Sequence, residues 1–213
     1  MEISQHINII KIYILITLVV VLLYSNKSKK IDSLLLISII VAFVNELVSS
    51  ILEIKQFNPG FITNVYVILN TLFWLLILKE VSLLKKESNI CIAVFIVFTI
   101  FSSLAAEKLS QFNCYNFIVG AILYLILFVY DSTQKLKNED LEYFLSNNYI
   151  LLTAPVLFFI GLSLLFGFNN TALRQIEFYG ITLYVLVGYF INIVFYSLIN
   201  LYVYRQKSVK HAY

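Results

Sequence analysis

Hydrophobic residues run along this chain in seven long blocks, approximately 7–24, 33–54, 61–80, 89–106, 112–130, 149–167 and 178–204, divided by short polar stretches. Each block is apolar nearly all round, so helical periodicity adds little and length decides the assignment. Roughly 20 apolar residues in a helix cross a bilayer core. The pattern therefore predicts an all-α polytopic membrane protein, with seven transmembrane helices in a single domain over residues 1–213. Pro59 and Gly60 mark the turn between the second and third spans. Short connectors make sequential helices antiparallel neighbours. The longest, DSTQKLKNEDLEYFLSNN, mixes both signs; it reads as a solvated connector with room for one turn of amphipathic helix. The tail RQKSVKHAY reads as a basic juxtamembrane segment that touches anionic lipid.

Composition narrows the class. The chain is 61% hydrophobic and 13% charged, whereas soluble domains run near 45–50% apolar and about 25% charged. The lipid bilayer is thus its first partner. No basic region precedes the first block and no small-residue cleavage site follows it, so a signal peptide is not expected; NKSKK after Tyr24 reads as a stop-transfer signal. The fifteen Lys and Arg residues set the orientation. Eleven fall in alternate connectors and the tail (Lys27, Lys29, Lys30, Lys79, Lys85, Lys86, Lys135, Lys137, Arg205, Lys207, Lys210), and four on the other side (Lys11, Lys55, Lys108, Arg174). The positive-inside rule then puts the N-terminus outside and the C-terminus in the cytoplasm. An odd number of spans is required for that alternation. Cys91 and Cys114 fall near opposite faces, too far apart for a disulfide.

The candidate chemistry lies inside the spans. VAFVNELVSS, residues 41–50, places Asn45 and Glu46 near the middle of the second block. A carboxylate at that depth costs about 2.5–3.5 kcal/mol, which the surrounding Leu, Ile, Val and Phe offset at about 0.3–0.6 kcal/mol each. Ser38, Ala42, Asn45, Ser49 and Glu53 recur at three- and four-residue spacing, with Glu46 and Ser50 widening the stripe. Lipid offers no hydrogen bonds, so this face is expected against other helices. Thr63, Tyr66, Asn70 and Trp74 share a face of the third span, and Gly188, Asn192 and Tyr196 of the seventh, with Asn200 a turn further on. The first and fourth spans have few strong polar groups at mid-depth and read as peripheral.

Glu46, Asn70 and Asn192 each lie within about a turn of the middle of their span. They are expected at one level, with Asn45, Tyr66 and Tyr196 as further lining. A protonated Glu46 there donates to an amide carbonyl; an ionised one accepts from Asn and Tyr donors or binds a cation. The competing reading is interhelical glue, each bond contributing about 0.6–2 kcal/mol. Pro155 and Gly161 mark a kink or hinge in the sixth span. Tyrosines at span ends (Tyr24, Tyr130, Tyr149, Tyr179, Tyr202, Tyr204) read as an interfacial belt. His6 and His211 sit at opposite ends, so no histidine metal site is expected. No HExxH, GxSxG or P-loop string occurs, so neither a cofactor nor a nucleic-acid partner is expected. The seventh span holds no lysine for a retinal Schiff base, and the sequon-like Asn169–Thr171 carries no weight.

The last third, APVLFFIGLSLLFGF followed by YGITLYVLVGYFINIVFYSLINLYVYRQ, resembles small uncharacterised bacterial seven-helix membrane proteins. Those are similar in size and topology to the seven-helix sensor modules that precede histidine kinases, and the Asn45–Glu46 pair and the Asn-bearing third span fit the same likeness. The resemblance implies a bacterial inner-membrane protein with a sensor-like or accessory role. No kinase or cyclase output domain accompanies it, so signalling is expected through a separate cytoplasmic partner. A small transporter or channel using Glu46 as a proton or cation site is the alternative. A third reading is a membrane effector of a stress or defence operon, which would act as a homo-oligomer. An intramembrane enzyme is disfavoured, since no second acid or base is expected near Glu46.

Overall fold

The computed structural model describes residues 9–26, 28–105, 112–167, 176–178 and 181–210. Lys27, Lys108, Arg174, Tyr179, the Asn169–Thr171 string and both histidines lie outside the described residues. The elements are helices α1 (Ile9–Tyr24), α2 (Lys30–Ile54), α3 (Gly60–Val81), α4 (Lys85–Ala105), α5 (Cys114–Lys137), α6 (Leu141–Leu145) and α7 (Asn147–Gly167). A two-strand antiparallel ladder follows, β1 (Glu177–Phe178) on β2 (Ile181–Thr182), and then α8 (Leu183–Lys210). Six helices, α2 to α5, α7 and α8, are long and apolar enough to cross a membrane. The described part of α1 is a shorter apolar helix of 16 residues. The molecule is a helical, multi-pass membrane protein.

The helices overrun the apolar blocks where polar residues can finish a turn. α2 starts at Lys30, ahead of the apolar run, with Asp32 in its first turn. α5 continues through Asp131–Lys137, and Lys135 and Lys137 complement the negative end of its dipole. The long connector does contain a turn of helix, α6, whose N-cap Asp140 accepts from the Tyr143 amide at 3.3 Å. A Lys135 hydrogen bond at 2.9 Å holds the Asp140 carboxyl below the usual aspartate range. The last helix begins later than its apolar block, because residues 177–178 pair with 181–182 instead. It then runs on to Lys210, so the basic tail extends the helix.

Packing places Trp74 of α3, fully buried, at the centre, edge-on to Phe195 of α8 with ring centroids 5.6 Å apart. α7 lies along α8, and Gly161 makes that approach possible: a Cβ there would fall 2.5 Å from Ile191 Cδ1. This contact accounts for the glycine without a hinge. α7 runs through Pro155 as one helix. Proline leaves the carbonyl four residues earlier without its helical donor. In that same turn the Tyr124 hydroxyl donates to the Leu152 carbonyl at 2.9 Å.

The first helix is not peripheral. α1 packs against both α2 and α8 and buries Ile14, Thr17, Leu18 and Val21. Its hydroxyls carry the contact: Tyr13 shares a hydrogen bond with Ser197 at 2.7 Å, and Thr17 accepts from Asn200 at 3.0 Å. A hydropathy profile misses such groups because tyrosine and threonine hardly interrupt an apolar run.

Candidate functional site

The stripe on α2 faces the bundle over most of its length. Ser38, Ala42 and Asn45 are buried, Glu46, Ser49 and Ser50 are half-buried, and Glu53 is exposed. Glu46 lies on α2, which packs against α1 and α3, while α8 packs on the far side of α1. The side chain that acts on it most strongly by charge is Lys11 of α1, with Glu53 opposing. Lys11 Nζ donates to Ser50 Oγ at 2.8 Å, and Ser50 Oγ donates to the Glu46 carbonyl at 2.6 Å. The ammonium is therefore held one turn from the carboxyl it faces.

Two tyrosines close the corner. The hydroxyls of Tyr66 on α3 and Tyr196 on α8 are hydrogen-bonded to each other, and both feel the charge of Glu46. Tyr196 is 2% exposed and its ring is met edge-on by Tyr13, centroids 6.4 Å apart. Asn45, 7% exposed, has a side-chain carbonyl oxygen with no hydrogen-bond partner. In an apolar surrounding such an oxygen costs about 1–3 kcal/mol.

Of the residues singled out from the sequence, the fold gathers Glu46, Tyr66 and Tyr196. Asn70 is engaged elsewhere: its Oδ1 accepts from Ser38 Oγ at 3.1 Å, about 12 Å along α2 from Glu46 at 1.5 Å rise per residue. Asn192 turns to its own helix, donating from Nδ2 to the Gly188 carbonyl at 2.8 Å. Antiparallel helices meet by register rather than by equal depth within each apolar block, which is why mid-span position alone does not pair Asn70 with Glu46. The charge pattern puts Lys11 on an outer flank; its long stem carries the ammonium to Ser50 of α2.

A second set of buried acidic residues has no signature in the sequence. Asp32, with no exposed surface, accepts from the Asn26 amide at 3.0 Å, the Tyr202 hydroxyl at 2.7 Å and Gln206 Nε2 at 3.0 Å. Asp131, 2% exposed, accepts from Ser82 Oγ at 2.6 Å and the Tyr143 hydroxyl at 3.0 Å. Both lie at the end of the bundle where α2 begins and α3 and α5 end. Tyr202 thus leaves the interfacial belt expected of it, whereas Tyr24, Tyr130 and Tyr204 are exposed as a belt requires. On a helix Tyr202 and Tyr204 point about 200° apart, so they cannot share a surroundings. Burial and the neighbouring Asp131 push the Tyr143 hydroxyl well above its ordinary range.

Chemically, the Glu46 corner offers a carboxyl, an ammonium and two phenols. That set binds a polar group or exchanges a proton. Among the described residues no group of three or more His, Cys, Asp and Glu could hold a metal ion. No protein-family model matches the chain, and neither a curated protein nor a solved structure matches it.

Proposed function

We propose that this protein is a sensor-like or accessory protein of a bacterial inner membrane, with seven spans, the N-terminus outside and the C-terminus in the cytoplasm. It responds at Glu46 to a small polar or lipidic ligand, or to a proton, and passes that response to a separate cytoplasmic protein. The observation that supports this most is the Glu46 corner: Lys11, Tyr66 and Tyr196, from three other helices, lie within electrostatic reach of one carboxyl. A change of charge on Glu46 alters what holds α1, α3 and α8 together. Structural glue needs only amides and hydroxyls; a carboxyl facing an ammonium adds a group that can switch.

The same corner favours switching over cation transport. A carboxylate that already faces a protein ammonium gains less from an imported cation. The eleven basic residues assigned to the cytoplasmic side supply the face for an acidic partner or anionic lipid. The site reading is tested by the thermal midpoint of purified protein between about pH 5 and 9, for wild type and Glu46→Gln. A midpoint that moves with pH in wild type and is flattened by the substitution is expected. Matching flat curves would remove Glu46 as a titrating switch and leave it as glue.

A further inference from the structure

A separate seam between α3, α4 and α5 carries polar groups that the Glu46 corner does not use. Two contacts fix how α4 and α5 align. Asn113 Nδ2 donates to Ser102 Oγ at 2.7 Å near one end. Further in, Gly120 lies against Phe95 and Thr71: a Cβ on it would fall 2.5 Å from Thr71 Cγ2 and 3.1 Å from Phe95 Cε2. Phe95, Thr99 and Ser102 share one face of α4, and Asn113, Asn116 and Gly120 share one face of α5. Antiparallel alignment through those two contacts sets Thr99 opposite Asn116, at the level between them.

Both residues are sealed off and unsatisfied. Thr99 is 8% exposed and Asn116 2% exposed, and neither Thr99 Oγ1 nor Asn116 Oδ1 has a hydrogen-bond partner. Thr71 Oγ1, one turn deeper and 1% exposed, is in the same condition. The local chemistry explains Asn116. It stands three residues after the N-cap Asn113, where a side chain often reaches back to the cap amide. Here that amide is already taken by Asn64 Oδ1 of α3 at 2.8 Å, so Asn116 does not make that bond. Thr99 likewise forgoes the usual bond to the carbonyl four residues back.

We propose that Thr99 and Asn116 form a membrane-embedded site for one neutral hydrogen-bonding molecule, an internal water. It would donate to Asn116 Oδ1 and bridge to Thr99 Oγ1. Neutrality follows from the walls: residues 64–71, 95–102 and 113–120 contain no Asp, Glu, Lys or Arg. The spacing bounds the site along the helices. The Asn113–Ser102 bond closes one side and the Gly120 contact the other, about two turns apart, which leaves one level of side chains between them. Buried waters of this kind make about three hydrogen bonds to groups otherwise unsatisfied. The inference does not depend on the Glu46 reading.

The test is a cycle of apolar replacements read as thermal midpoints in detergent: Thr99→Val, Asn116→Leu and the pair, with Thr99→Ser as the variant that keeps the hydroxyl. A bridging water makes each apolar single variant lose its bond, lowering the midpoint by about 2–4 °C. The double variant then falls no further than the worse single, and Thr99→Ser matches wild type. A rise in midpoint on either apolar change, or additive losses, would overturn the site, because unbridged polar atoms are better replaced by carbon. A density map of the protein in lipid nanodiscs supplies the second readout. Ordered density within hydrogen-bond reach of both atoms is expected; Thr99 paired directly with Asn116 would overturn the proposal.

Discussion

At the scale of single residues, the buried groups divide by whether their bonds are complete. Asp32 accepts three hydrogen bonds and Asp131 two, so each tyrosine hydroxyl serves a carboxylate that water cannot reach. Bonds to charged groups contribute about 1.5–3 kcal/mol, and a buried partner left short costs the full desolvation penalty. Tyr202→Phe should therefore lower stability by about 1.5–3 kcal/mol, measured as a shift of the denaturation midpoint. Tyr204→Phe, on the exposed face, should change it by less than about 0.5 kcal/mol. Equal effects would contradict the assignment of Tyr202 to Asp32. Nothing in the sequence marks these aspartates: Asp32 follows two lysines at a span's start and Asp131 opens a polar stretch, so both read as solvated. Only the fold reveals that Tyr202, Gln206, Ser82 and Tyr143 converge on them.

At the scale of elements, close approach between helices is decided by small residues rather than by overall apolarity. Gly120 lets α5 meet α3, since its missing side chain is replaced by Thr71. Threonine is branched at Cβ with few χ1 alternatives in a helix, and its hydroxyl oxygen also stands 3.1 Å from where a Gly120 Cβ would fall. Gly120→Ala should cost about 1–3 kcal/mol, the usual penalty of overpacking. Thr71→Ser, which deletes the clashing methyl, should recover much of that loss in the double variant. Failure of rescue would mean that the backbone, not the methyl, sets the spacing. The existence of the six long helices and the turn at α6 was legible because each rests on length, composition or local charge. Their partners were not. α1 looked peripheral because Tyr13 and Thr17 add little to a hydropathy profile, and yet their hydroxyls bind α8. Depth within each span puts Asn70 at the level of Glu46, whereas register assigns it to Ser38.

At the scale of the whole molecule, α1 is the element through which a charge change would propagate. It is wedged between α2 and α8, held by hydroxyl bonds on one side and by Lys11 on the other. The proposed response at Glu46 requires that Lys11 and Glu46 be energetically coupled across two helices. That coupling separates a switch from two unrelated polar residues that share a corner. The direct measurement is a double-mutant cycle of Lys11→Met and Glu46→Gln, read as unfolding stability of the purified protein at fixed pH. Contacting residues in one network couple by about 0.5–3 kcal/mol, whereas independent sites add within about 0.3–0.5 kcal/mol. A double variant clearly less destabilised than the two singles combined is the result this account predicts; strict additivity would contradict it.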